Sequence, residues 1–140
     1  MKTVEQYVEA LQTFAPSPDG KTVRRLYGVV EGLRDVAYAR RAFPAVFGLF
    51  ERYSEAELGS PGPLVHCVEA IGGFHDELAA SLRRRPTFHT IYMAKKVLRL
   101  AADDAERAPW LGLLRELSAR GDLAAAVREQ AAQAVAGLAG

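Results

Sequence analysis

The stretch Leu58-Gly59-Ser60-Pro61-Gly62-Pro63-Leu64-Val65-His66 separates two runs of helical pattern and opens directly onto the second. It places two glycines and two prolines within five residues, the chemistry of a rigid turn rather than of a flexible linker. Ser60 offers a side-chain oxygen to the orphan amides of a helix start, and Pro61 has the fixed φ that suits a first helical position. A helix is therefore expected over about 61–71, with Gly72-Gly73 ending it, because glycine is favoured just past a helix terminus.

Upstream, Thr3 followed by Gln6 is a capping-box signature, and Val4, Tyr7, Val8, Leu11 and Phe14 then fall at helical spacing. Pro16-Ser17-Pro18-Asp19-Gly20 reads as a turn. Val23, Leu26, Tyr27, Val30 and Leu33 predict a second helix. Gly28 and Gly32 lie one turn apart within it. Each glycine weakens a helix by up to ~1 kcal/mol, so a closely apposed neighbouring helix is expected there. From Asp35 to Tyr53 the pattern again favours helix, with Phe43, Val46, Phe47, Phe50 and Tyr53 on one apolar face. Pro44 must either kink this element or start a new one.

Downstream, Phe74, Leu78 and Leu82 carry a helix to Arg84. Pro86 is expected to start another, with Phe88, Ile91, Val97, Leu98 and Ala101 inward. Asp103 and Asp104 can cap a further helix containing Trp110, Leu113, Leu114 and Leu117. Gly121 closes it, and Asp122 is expected to cap the last, with Leu123, Val127, Ala131, Ala134, Val135 and Leu138 inward. No segment alternates with period two for long enough to predict a strand. The fold class is all-α, with seven or eight helices.

Three successive helix pairs are readable, 44–53 with 61–71, 74–84 with 86–101, and 109–120 with 122–138. Short turns make the partners antiparallel. Stacked antiparallel hairpins form an α-solenoid of the HEAT/ARM kind, with a compact irregular helical bundle as the alternative. Asp122, Val127-Arg128, Ala131, Ala134-Val135 and Leu138 resemble the second helix of a HEAT repeat.

Composition frames what such a chain can do. The 140 residues predict a single helical domain, with 49% hydrophobic and 25% charged residues as in ordinary globular proteins. A net charge of +1 argues against a dedicated nucleic-acid binder. No apolar run approaches the ~20 residues that span a bilayer, and Met1-Lys2-Thr3-Val4-Glu5 lacks an apolar signal core. One cysteine forms no internal disulfide. The expected compartment is the cytoplasm.

The histidines and the cysteine are the residues to test for chemistry. His66 and Cys67 are adjacent, so on one helix they diverge by ~100° and cannot readily share a metal. Cys67 sits by the face of Leu64, Val68 and Ile71, which fits a buried thiol better than a nucleophile. The Gly59–Pro63 turn is no phosphate loop, because its prolines remove two amides and no lysine follows before Lys95. No carboxylate pair, triad or metal box emerges. No enzyme, metal or cofactor is expected. Arg83-Arg84-Arg85 with Lys95, Lys96 and Arg99 form a basic patch. It reads as a solvated face offset by Asp76, Glu77, Asp103, Asp104 and Glu106, or else as a docking site for an acidic protein.

The Leu58–His66 string, followed by Leu78, Ser81, Arg85-Pro86-Thr87 and a helix containing Thr90, resembles small all-α immunity proteins encoded beside bacterial polymorphic toxins, including contact-dependent growth inhibition systems. The similarity covers about residues 43–100. Ala94-Lys95-Lys96 departs from the Leu-Asn-Arg run that such proteins often carry. The resemblance implies a toxin inhibitor that works by protein–protein interaction with a cognate toxin domain. No membrane partner is expected, nucleic acid is disfavoured, and a homodimer is compatible. The outward faces of the two helices concerned nominate His66, Glu69, His89, Tyr92, Lys96 and Arg99 as partner-binding residues. A HEAT-like interaction or regulatory module without a toxin partner is the alternative function.

Overall fold

Every regular element of the computed structural model, which describes residues 2–139, is helical. The side chains of residues 138 and 139 lie outside this description, and with them the inward placement expected for Leu138. Among the described residues the order is α1 (Val4–Thr13), α2 (Thr22–Val30), 3-10 turns at Leu33–Asp35 and Ala39–Ala42, α3 (Phe43–Arg52), α4 (Pro63–Ile71), α5 (His75–Arg84), α6 (Phe88–Leu100), α7 (Asp104–Ala119) and α8 (Ala125–Ala139). The chain forms two compact units, Met1–Glu77 and Leu78–Gly140. No helix among the described residues is long and apolar enough to cross a membrane.

In the first unit α1 starts as its capping box dictates. Gln6 donates its N–H to the Thr3 hydroxyl at 3.3 Å, and Thr3 returns its own N–H to the Gln6 side chain at 2.8 Å. Val4, Tyr7 and Leu11 form its buried stripe. The Tyr7 hydroxyl donates to the Glu31 carbonyl, and Arg52 donates to the Leu11 carbonyl at 3.1 Å, satisfying an orphan acceptor at the end of α1. Pro44 starts α3 rather than kinking a longer helix. The segment before it is two 3-10 turns, joined at Tyr38 in the left-handed region with φ +61°. Phe43, Val46, Phe47 and Phe50 are buried as one face, with the Phe47 and Phe50 rings edge to face at 5.9 Å. Helix α1 packs on α2 and α3, α2 on α4, and α3 on α4.

Ser60 does not cap α4, and Pro61 is not its first residue. The cap is Gly62, with Pro63 in the first turn, and the Ser60–Pro61 peptide is cis. Gly59 and Gly62 have φ +105° and +92°, and the chain doubles back so closely that a Cβ on Gly62 would lie 2.8 Å from the Gly59 Cα. Tyr27, part of the apolar period of α2, is 53% exposed, because Thr22, Leu26 and Val30 already fill the buried face of this short helix. Gly32 is not inside α2 at all. It follows the helix at φ +81°, where glycine is tolerated without strain.

Gly28 lies in α2 with no atom within 4 Å of where a Cβ would stand, so a close helix neighbour is not its reason. Gly28→Ala is therefore expected to stabilise the protein by roughly 0.5–1 kcal/mol through lower unfolded-chain entropy. Urea unfolding checks this, and a lowered midpoint would contradict it.

In the second unit α6 starts at Phe88, two residues later than expected. Thr87 and Thr90 exchange backbone N–H and hydroxyl bonds at 2.9 and 3.2 Å, a buried capping box. His89, Thr90, Ile91, Met93, Ala94 and Leu98 are the buried residues of α6. Phe88, expected inward, is 50% exposed. Helix α7 begins after Asp103, whose carboxylate accepts the Glu106 N–H at 2.8 Å, and it runs through Pro109 rather than starting there. Asp122 does not cap α8. It is held by Arg120 at 2.7 Å, and α8 begins at Ala125. Ala131 and Ala134 are the buried small residues of α8, and α6, α7 and α8 pack against one another.

Candidate interaction site

Helix α4 presents Pro63, His66, Cys67 and Ala70 to a cavity of about 520 Å3, in the size range of ligand and anchor-residue pockets. The spacing i, i+3, i+4, i+7 puts all four on one helical face. The facing wall comes from α2 and the turn after it, notably Tyr27, Val30 and Arg34. Val30, Pro63 and Cys67 are buried and make an apolar floor. Tyr27 and His66 are exposed at the rim. Arg34 is 65% exposed in its side chain and meets Asp35 only at 3.7 Å, an exposed contact worth little to stability. The guanidinium is thus available to a ligand.

Burial pushes the Cys67 thiol up from its ordinary 9.0 to about 11, against an opposing pull from the Arg34 cation. Between those two values the unfolded chain has lost the thiol proton and the folded chain has kept it. The unfolded state then binds fewer protons, so stability falls as pH rises through that window and is fully present below it. The urea midpoint of the wild type is expected to fall more steeply above pH 9 than that of Cys67→Ala. Parallel curves would show that the thiol does not carry the effect.

The second unit offers a different surface. On α6 the residues Phe88, Tyr92, Lys95 and Arg99 follow i, i+4, i+7 and i+11, a single stripe opposite the buried face. Phe88, Lys95 and Arg99 are exposed, and Tyr92 is half-buried.

The nominated partner-binding residues divide between these places. His66 lies at the rim of the α4 cavity. Glu69 is half-buried on α4 and does not line it. Tyr92 and Lys96 are half-buried and Arg99 is exposed on α6. His89 is a correction: it is 5% exposed, with its ring edge-on to Phe88 at 5.5 Å, so it faces inward rather than toward a partner. Tyr27 and Arg34 were missed. Tyr27 fits the apolar period of α2, and nothing local in the sequence brings Arg34 to α4. Among the described residues no group of three or more His, Cys, Asp or Glu is placed to hold a metal ion. A scan against protein-family models finds no match, and neither curated proteins nor solved structures give one.

Proposed function

We propose that the chain is an immunity protein that binds and neutralises a cognate bacterial toxin domain by protein–protein contact. One observation carries this reading. Of the residues that resemble immunity proteins, 58–66, Pro63 and His66 in the first turn of α4 line the cavity, and the glycine turn leads directly into them. Tyr and Arg at a rim above an apolar floor are the residue types that dominate interface energetics. The floor receives an apolar side chain of the toxin domain, and Arg34 and Tyr27 supply hydrogen bonds around it. No reaction is required of the chain, only a rigid, complementary surface.

The test is co-expression with the C-terminal domain encoded by the adjacent upstream gene. The expected result is a stable complex and rescue of growth, both weakened by a Tyr27→Ala, Arg34→Ala double variant. Absence of a toxin-like domain beside the gene, or of any complex with it, would overturn the reading.

A HEAT-like interaction module without a toxin partner is the second reading. It is favoured by the α7–α8 pair, where Ala131 and Ala134 allow close helix approach. Capture of a housekeeping complex in place of a toxin domain would select it.

A further inference from the structure

Residues 78–102 contain Arg83, Arg84, Arg85, Lys95, Lys96 and Arg99 but no aspartate or glutamate. The whole second unit carries ten Lys and Arg against six Asp and Glu. The nearest carboxylates downstream are engaged at the start of α7. Asp103 accepts the Glu106 N–H, Glu106 accepts the Ala102 N–H at 2.8 Å, and Asp104 pairs with Arg107 at 2.8 Å. Each of these contacts ties them to the start of α7, and none reaches Lys95 or Arg99. Lys95 and Arg99 stand exposed one turn apart and form no ion pair among the described residues. Like charges at this spacing cost a helix a few tenths of a kcal/mol. Folding alone gives no reason to keep them, and the half-exposed Phe88 lies on the same stripe.

We propose that this face of α6 docks an acidic, amphipathic polypeptide segment. Phe88 and Tyr92 at the N-terminal end receive an apolar side chain, and Lys95 and Arg99 at the other end receive carboxylates. The stripe is ~16 Å long at 1.5 Å per residue, which matches about three turns of a docked helix. Single-stranded nucleic acid is the less fitting occupant, because its binding surfaces interleave aromatic platforms with cations, whereas here the two kinds are segregated. The inference goes beyond the immunity reading and does not require the partner to be a toxin.

The test uses the full chain and three labelled probes. These are an acidic peptide of alternating Glu and Leu blocks, its Lys counterpart, and a twenty-nucleotide oligothymidine, followed by fluorescence anisotropy at low and high salt. The acidic peptide is expected to bind in preference to both others. Lys95→Glu with Arg99→Glu should weaken it at least about tenfold and flatten its salt dependence. Phe88→Ser should weaken it while leaving the salt dependence intact. Lys95→Gln with Arg99→Gln, which keeps the helix face polar, should give an intermediate loss with unchanged circular dichroism. Equal binding by wild type and charge variants, or a preference for oligothymidine, would overturn the proposal. A chain that binds the acidic peptide but no toxin domain would remove the immunity reading and leave this one standing.

Discussion

Gly62→Ala is expected to lower stability by about 3 kcal/mol or more, a drop in Tm of roughly 10 °C for a chain of this size. Two costs combine. Residue 62 has φ +92°, where an L side chain is strained. The new Cβ would also stand 2.8 Å from the Gly59 Cα and inside contact distance of the Leu58 carbonyl oxygen. Both neighbours are backbone, so no side-chain rotation relieves the clash. Gly72→Ala separates the two costs, since residue 72 has φ +76° with open space around it. That variant is expected to lose only ~1 kcal/mol. Calorimetry on both checks the argument, which fails if they lose the same amount. Because Gly62 leads straight into Pro63, the change should also displace the first turn of α4 and with it one wall of the cavity.

Phe50→Ala should cost about 3–5 kcal/mol, the usual loss for removing a fully buried aromatic ring. Phe50 is 0% exposed and meets Phe47 edge to face, a geometry worth a further ~0.5–1.5 kcal/mol beyond area burial. Phe50→Leu retains much of the apolar volume and should lose less than half as much. Urea unfolding decides between this and a pliant core, which would show a loss below ~1.5 kcal/mol for the alanine variant.

What was legible in the chain was set by local chemistry. Thr3 with Gln6, Asp103, Pro44 and Gly72 each act through atoms within a few residues, and each marks a helix boundary in the structure. Helix rotation was less readable. In α2 and α6 the apolar residues are dense enough that two neighbouring faces fit the 3.6 period, and burial of Thr22 and of the Thr87–Thr90 box decided against Tyr27 and Phe88. Ser60 looked like a cap because its residue type is right. The turn instead follows the φ of Gly59 and Gly62, which is set by the chain folding back on Leu58. His66 was legible as an outward residue of α4. Its partners Tyr27 and Arg34 were not, because they reach it only through the packing of α2 on α4.

Docking of a partner protein on the α2–α4 cavity, as proposed above, would cover Cys67. It is the one cysteine of the sequence and lines that cavity. Its alkylation rate by iodoacetamide, measured on the free chain and on the chain saturated with the proposed partner, the C-terminal domain encoded by the adjacent upstream gene, reports whether the cavity is covered. A slower rate in the complex than in the free chain is the expected result, since alkylation of a thiol requires access to it. An unchanged rate in a saturated complex would contradict the account.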